Sequence, residues 1–139
     1  PEDWPGAYVG SCVPGQDWGS WVLAREGSLS AHVIAGYEGW LSGALWKGPS
    51  TSLACFSLHS PTGTGRSYVD ESVEMVRRIV ASVEPRYPLV IGGDFNFTSL
   101  GERAASEAMR TTADERVALA EWRELGFTLA WQASHPGTA

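Results

Sequence analysis

The run "PLVIGGDFNF", Pro88 to Phe97, carries the residues best suited to chemistry in this chain. An apolar stretch stops at Gly92 and Gly93, and Asp94 and Asn96 follow with one phenylalanine between them. A carboxylate can accept a proton or orient a water, and an amide two positions on can donate to an anionic oxygen. An acceptor and a donor at that spacing suit attack on a phosphorus centre. The same two residues can also close a turn through side chain to backbone hydrogen bonds, so on spacing alone both readings stand. A third group, His59, ends the apolar run "SLACFSLH". Histidine is the usual side chain for proton delivery near neutral pH, although a lone histidine at a strand end is often structural. Its neighbour Ser60 invites a Ser, His, Asp triad. Adjacent strand residues point to opposite faces, however, and no nucleophile-elbow sequence is present.

These groups must be brought together by the elements that carry them. Short apolar runs separated by turn formers predict strands at Ala7 to Val13, Ser20 to Ala24, Ser30 to Ile34, Trp40 to Trp46 and Ser52 to Leu58. The segments "VPGQDWG", "YEGW" and "WKGPS" are the turns between them. From Tyr68 to Val83 the residues Val69, Val73, Val76, Ile79, Val80 and Val83 recur at three and four, which predicts an amphipathic helix. Ser67 and Asp70 form its N-terminal capping pair, and Pro85 forbids continuation. A buried strand, Leu89 to Ile91, and a loop come next. A second helix follows from about Ala113 to Leu125, with Thr112 and Glu115 in capping-box spacing and Gly126 as its stop. The order is that of a mixed α/β (α+β) layer structure in one domain spanning residues 1–139. The first helix is long enough to cross between parallel strands, and ligands bind beyond the carboxyl ends of such strands. His59 and Asp94 both fall there.

Composition narrows the function classes. A net charge of −6 argues against binding nucleic acid through a broad basic surface, although an enzyme that holds one phosphate with a cation can be acidic overall. No apolar run approaches the roughly 18 residues that span a bilayer, so a soluble protein is expected, with the cytoplasm favoured. Cys12 and Cys55 sit in apolar segments and read as two reduced core thiols. Trp4, Trp18, Trp21, Trp40, Trp46, Trp122 and Trp131 are numerous enough for a sugar-stacking surface, but their strand and helix patterns favour core packing. His32, His59, His135 and the cysteines show no zinc-type spacing, whereas spacing does not exclude a hard ion such as Mg2+.

The run "LACFSLHSP", the helix after it and "PLVIGGDFN" together resemble the endonuclease/exonuclease/phosphatase superfamily, whose fold is typified by deoxyribonuclease I. Upstream, "WGSWVLAREG" is similar to the family's Gly-containing strand ending in "LSR"; downstream, "LGFTLAWQASHPG" is similar to its "glxDAwR..HPG" segment. The matches run in order from about Trp18 to Gly137. The resemblance implies a layered β-sandwich flanked by helices and a metal-dependent phosphoesterase, nuclease or phosphatase, using Mg2+ or Mn2+. It implies that Asp94 activates or orients the attacking water, that Asn96 holds a phosphoryl oxygen, and that His59 contacts the phosphate and assists the leaving group. The substrate would be a phosphoester, with nucleic acid among the candidates. Two family elements are absent from the chain: the strand ending in Gln-Glu whose carboxylate binds the metal, and the closing "SDH" whose His acts as base. Glu2 has no strand before it, His135 belongs to the earlier segment, and Leu129 stands where the family commonly has Asp. The chain thus reads as an incomplete domain, active as part of a full-length protein and inactive alone. The alternative is a catalytically incomplete module that binds a phosphate, a sugar or a partner protein. Substrate identity, the metal ligands and oligomeric state are not written in these residues.

Overall fold

The computed structural model describes residues 3–61, 67–96 and 112–134. The chain forms two compact units that part between Phe95 and Asn96.

The first unit holds six strands and one helix. Strands β1 (Ala7–Cys12) and β2 (Gly19–Ala24) pair antiparallel as a two-stranded sheet. A four-stranded sheet has the order β3 (Ser28–Ala31), β4 (Leu41–Lys47), β5 (Ser52–His59), β6 (Leu89–Asp94). Its first two pairings are antiparallel, and β5 pairs with β6 in parallel. The connection between those two carries α1 (Tyr68–Ser82), the crossover that parallel neighbours require. Together with the helices of the second unit this is an α+β fold, as the element order predicts.

Alternation along β5 shows how the unit packs. Ala54, Phe56 and Leu58 are buried, whereas Leu53, Cys55, Ser57 and His59 are half-buried. On the first face the sheet is covered by α1, whose Val69, Met75, Val76 and Ile79 are buried, each contributing about 1.5–3 kcal/mol. The buried stripe is centred on Val69, Ser72, Met75, Val76 and Ile79, while Val73, Val80 and Val83 flank it half-buried. Met75 joins the stripe because it stands three and four residues from Ser72 and Ile79, on the same helix face, and it is fully buried. Ser67 caps the helix by accepting from the Val69 amide at 3.2 Å. At the far end the Ser82 hydroxyl donates to Ile79 O at 2.9 Å, leaving its oxygen to accept from His32 Nε2, also at 2.9 Å. His32 in turn meets Phe56 edge-on, with centroids 5.5 Å apart.

The β1–β2 hairpin lies against the other face. The Ser42 hydroxyl donates to Ser20 O at 2.7 Å, and the Ser20 hydroxyl donates to Trp40 O at 3.0 Å, both serines being buried. Val22 and Ala24 of β2, with Leu29, Trp46, Leu53 and Cys55 of the larger sheet, line a cleft of about 430 Å3 between the two.

Four expectations change. The third strand is Ser28–Ala31 rather than Ser30 to Ile34, because its register with Ala44 to Lys47 ends where His32 turns toward α1. The strand after α1 runs through both glycines to Asp94 and is not buried, Leu89 and Ile91 being half-buried and Val90 exposed on the edge of the sheet. Cys12 is exposed on the hairpin edge and is no core thiol. Of the indoles whose surroundings are described, Trp122 alone is buried; Trp18 is 39% exposed and Trp4, Trp21, Trp40 and Trp46 are half-buried.

The second unit contains α2 (Ala113–Glu124) and a short α3 (Ala130–Ser134) that periodicity did not announce. The capping box of α2 is complete: the Thr112 amide donates to Glu115 Oε2 at 2.6 Å and the Glu115 amide to Thr112 Oγ1 at 3.2 Å. Gly126, at φ 90°, ends the helix as expected. No described helix is long and apolar enough to cross a membrane.

Candidate functional site at the carboxyl ends of β5 and β6

His59 and Asp94 are the last residues of β5 and β6, and they are register partners. Register partners on parallel neighbours present their side chains to the same face, with strands about 4.8 Å apart. The backbone locks this pairing, since the Ser60 amide donates to Asp94 O at 2.8 Å and the His59 amide donates to Trp40 O at 2.8 Å. His59 is half-buried and Asp94 is exposed. Two residues distant in sequence therefore meet at one sheet edge because α1 returns the chain in parallel.

Gly93 makes this approach possible. Its φ is 136°, and a Cβ placed there would lie 1.8 Å from Leu58 O, so no side chain fits against β5. A Cβ on Gly92 would meet nothing within 4 Å, so that glycine leaves open space beside the edge.

Ser60 has a structural part. It is fully buried, donates to Tyr68 O at 2.8 Å and accepts from the Ser72 hydroxyl at 2.7 Å, pinning the start of α1 to the end of β5. Facing away from His59, it cannot serve as a nucleophile for that imidazole.

Two further residues surround His59. The Trp18 ring centroid lies 5.0 Å from the imidazole and the Trp40 centroid 5.6 Å, with interplanar angles of 53° and 40°. The two indoles meet edge to face at 5.0 Å and 83°. Trp18 comes from the β1–β2 connection, where the Val13 amide donates to Trp18 O at 2.9 Å. Trp40 precedes β4, and its carbonyl accepts from both the His59 amide and the Ser20 hydroxyl. One carbonyl thus ties the hairpin to the end of β5. Their spacing in sequence held no signal for this cluster, since 22 and 19 residues separate its members; only the turn-flanking positions of Trp18 and Trp40 hinted that they were not core.

Asn96 opens the second unit in the left-handed region, at φ 55°, which Asn tolerates better than most residues. The bend in the chain therefore falls after Asp94 rather than at the glycines. Glu2 and His135 lie outside the described residues.

Among the described residues, no group of three or more His, Cys, Asp or Glu side chains could hold a metal ion, so no third ligand joins His59 and Asp94. One carboxylate and one imidazole are fewer protein ligands than a dedicated cage supplies; a hard ion such as Mg2+ held here would keep most of its waters. The cleft near Leu53 and Cys55 lies at the opposite end of β5 from His59, and burial there pushes the Cys55 thiol pKa up. Arg25 and Glu26 join its otherwise largely apolar lining, and the strand-end edge is the candidate site because it pairs an imidazole with a carboxylate at the carboxyl ends of parallel strands. The chain matches no protein-family model and no curated protein.

Proposed function

We propose that the edge formed by His59 and Asp94 binds a phosphoryl group, and that these 139 residues bind phosphate without turning it over. The observation that carries this reading is the register pairing of His59 with Asp94 at the carboxyl ends of parallel neighbours, where α/β sheets take their ligands. An imidazole N–H donates to a phosphoryl oxygen, while the carboxylate accepts from a water or from a hydroxyl of the phosphate.

A second reading follows from the resemblance to the deoxyribonuclease I-like superfamily: Mg2+-dependent hydrolysis of a phosphoester on a layered β-sandwich. Hydrolysis at phosphorus needs charge neutralisation on the phosphoryl oxygens as well as an oriented nucleophile. The absence of a third metal ligand beside His59 and Asp94 favours the binding reading for the described residues.

The test is a titration of the 139-residue chain with inorganic phosphate, followed by the His59 ring resonances in NMR. Saturable shifts that vanish in a folded Asp94→Ala variant are expected, and their absence at tens of millimolar phosphate would sink the proposal. The chain is then given Mg2+ and bis(4-nitrophenyl) phosphate. Turnover that falls in Asp94→Ala and Asn96→Ala would establish the hydrolytic reading instead.

A further inference from the structure

We infer that Trp18 and Trp40 form an aromatic subsite beside the phosphate edge, selecting small phosphate monoesters whose ester group carries an aromatic ring. This rests on the phosphate-binding reading of His59 and Asp94. Three rings stand in mutual contact at the strand ends, with centroid separations of 5.0, 5.0 and 5.6 Å. Packing alone would favour burying so much apolar surface, yet Trp18 keeps 39% of its surface in solvent while it touches the imidazole. Among the described residues neither the Trp18 nor the Trp40 indole N–H has a hydrogen-bond partner, whereas Trp4 and Trp46 each donate to a backbone carbonyl. The cluster therefore offers ring surface and N–H donors next to the group proposed to hold phosphate.

The arrangement is also held in place. Trp18 is fixed through its carbonyl by Val13, and the Trp40 carbonyl receives both the His59 amide and the Ser20 hydroxyl. A rigid aromatic surface loses little freedom on binding. The two indole planes stand at 83°, so a flat ring stacked on one meets the other edge-on, the two geometries that aromatic pairs prefer. A saturated ring satisfies neither. The chain's net charge of −6 adds a second constraint, since it repels a polyanion more than it repels a single phosphate. The ligand that fits is small, carries one phosphate and presents an aromatic ring within reach of Trp18.

The experiment titrates the 139-residue chain with phenyl phosphate, cyclohexyl phosphate and inorganic phosphate, following the indole N–H resonances by NMR. Phenyl phosphate is expected to bind about five-fold or more tightly than cyclohexyl phosphate, the lower end of what stacking on an aromatic side chain contributes. In Trp18→Leu that preference should fall to about one, and Trp18→Phe should restore most of it. Equal binding of the two esters, or a preference unchanged in Trp18→Leu, would overturn the aromatic subsite and leave the phosphate edge standing. Failure of inorganic phosphate to bind at all would overturn the phosphate edge, and the subsite with it.

Discussion

On β5, Ala54, Phe56 and Leu58 point toward α1 and are buried, while Leu53, Cys55, Ser57 and His59 point the other way and stay half-exposed. The same contrast continues on β6, where Val90 is 51% exposed although it is apolar and lies within the strand. One face of the β5–β6 pair is packing, fixed by a helix whose hydroxyls and apolar stripe leave little freedom. The other face ends in the only described juxtaposition of an imidazole with a strand-end carboxylate register partner. The lesson is that the chemistry sits on the less protected face and borrows its precision from the protected one: Ser60, tied to Ser72 and Tyr68 beneath, fixes the backbone on which His59 stands.

Substitutions that strike each face separately can break this comparison. The largest expected effect is Phe56→Ala, which removes a ring lying over Gly43 and against His32 and should destabilise the fold by about 3–5 kcal/mol in chemical denaturation. A loss below about 1 kcal/mol would mean that this face is not the tightly packed one. Next comes the glycine pair. Gly93→Ala should lose about 1–3 kcal/mol from its positive φ, with displacement of β5 added, while Gly92→Ala should leave the melting temperature nearly unchanged. Similar losses for both would show that the two strands do not approach as closely as Gly93 requires.

The smallest effect sharpens the picture of the open face. At about pH 8, iodoacetamide should modify exposed Cys12 on the order of ten-fold faster than Cys55, whose thiol pKa is raised by burial, as read by peptide mass mapping. The sign also sets a pH dependence. Because the folded-state pKa of Cys55 lies above that of the unfolded chain, its contribution is intact below the ordinary thiol range. Stability then falls as pH rises through that range, where the unfolded chain ionises first. Replacing Cys55 with Ala should flatten that part of the stability curve.

How much of this was legible beforehand differs by element. Both long helices and their caps follow from local rules: Ser67 and Thr112 as N-caps, Pro85 and Gly126 as stops. These signals act within one turn of chain, so no tertiary knowledge is needed to read them. Local rules end β6 too early because glycines ordinarily break strands, whereas here Gly93 continues one by letting β5 come close. Cys12 has apolar neighbours, yet it is the last residue of β1 in a two-stranded hairpin and is exposed there.

The sequence by itself determined the residue types at the strand ends, the helices, and the crossover length that makes β5 and β6 parallel neighbours. These depend on periodicity and on steric rules that act over a few residues. Only the tertiary structure decided which side chains accompany His59. Trp18 and Trp40 reach it because one buried serine and one carbonyl join the hairpin to the sheet, and contacts between residues about 20 or more apart leave no periodic trace in the chain.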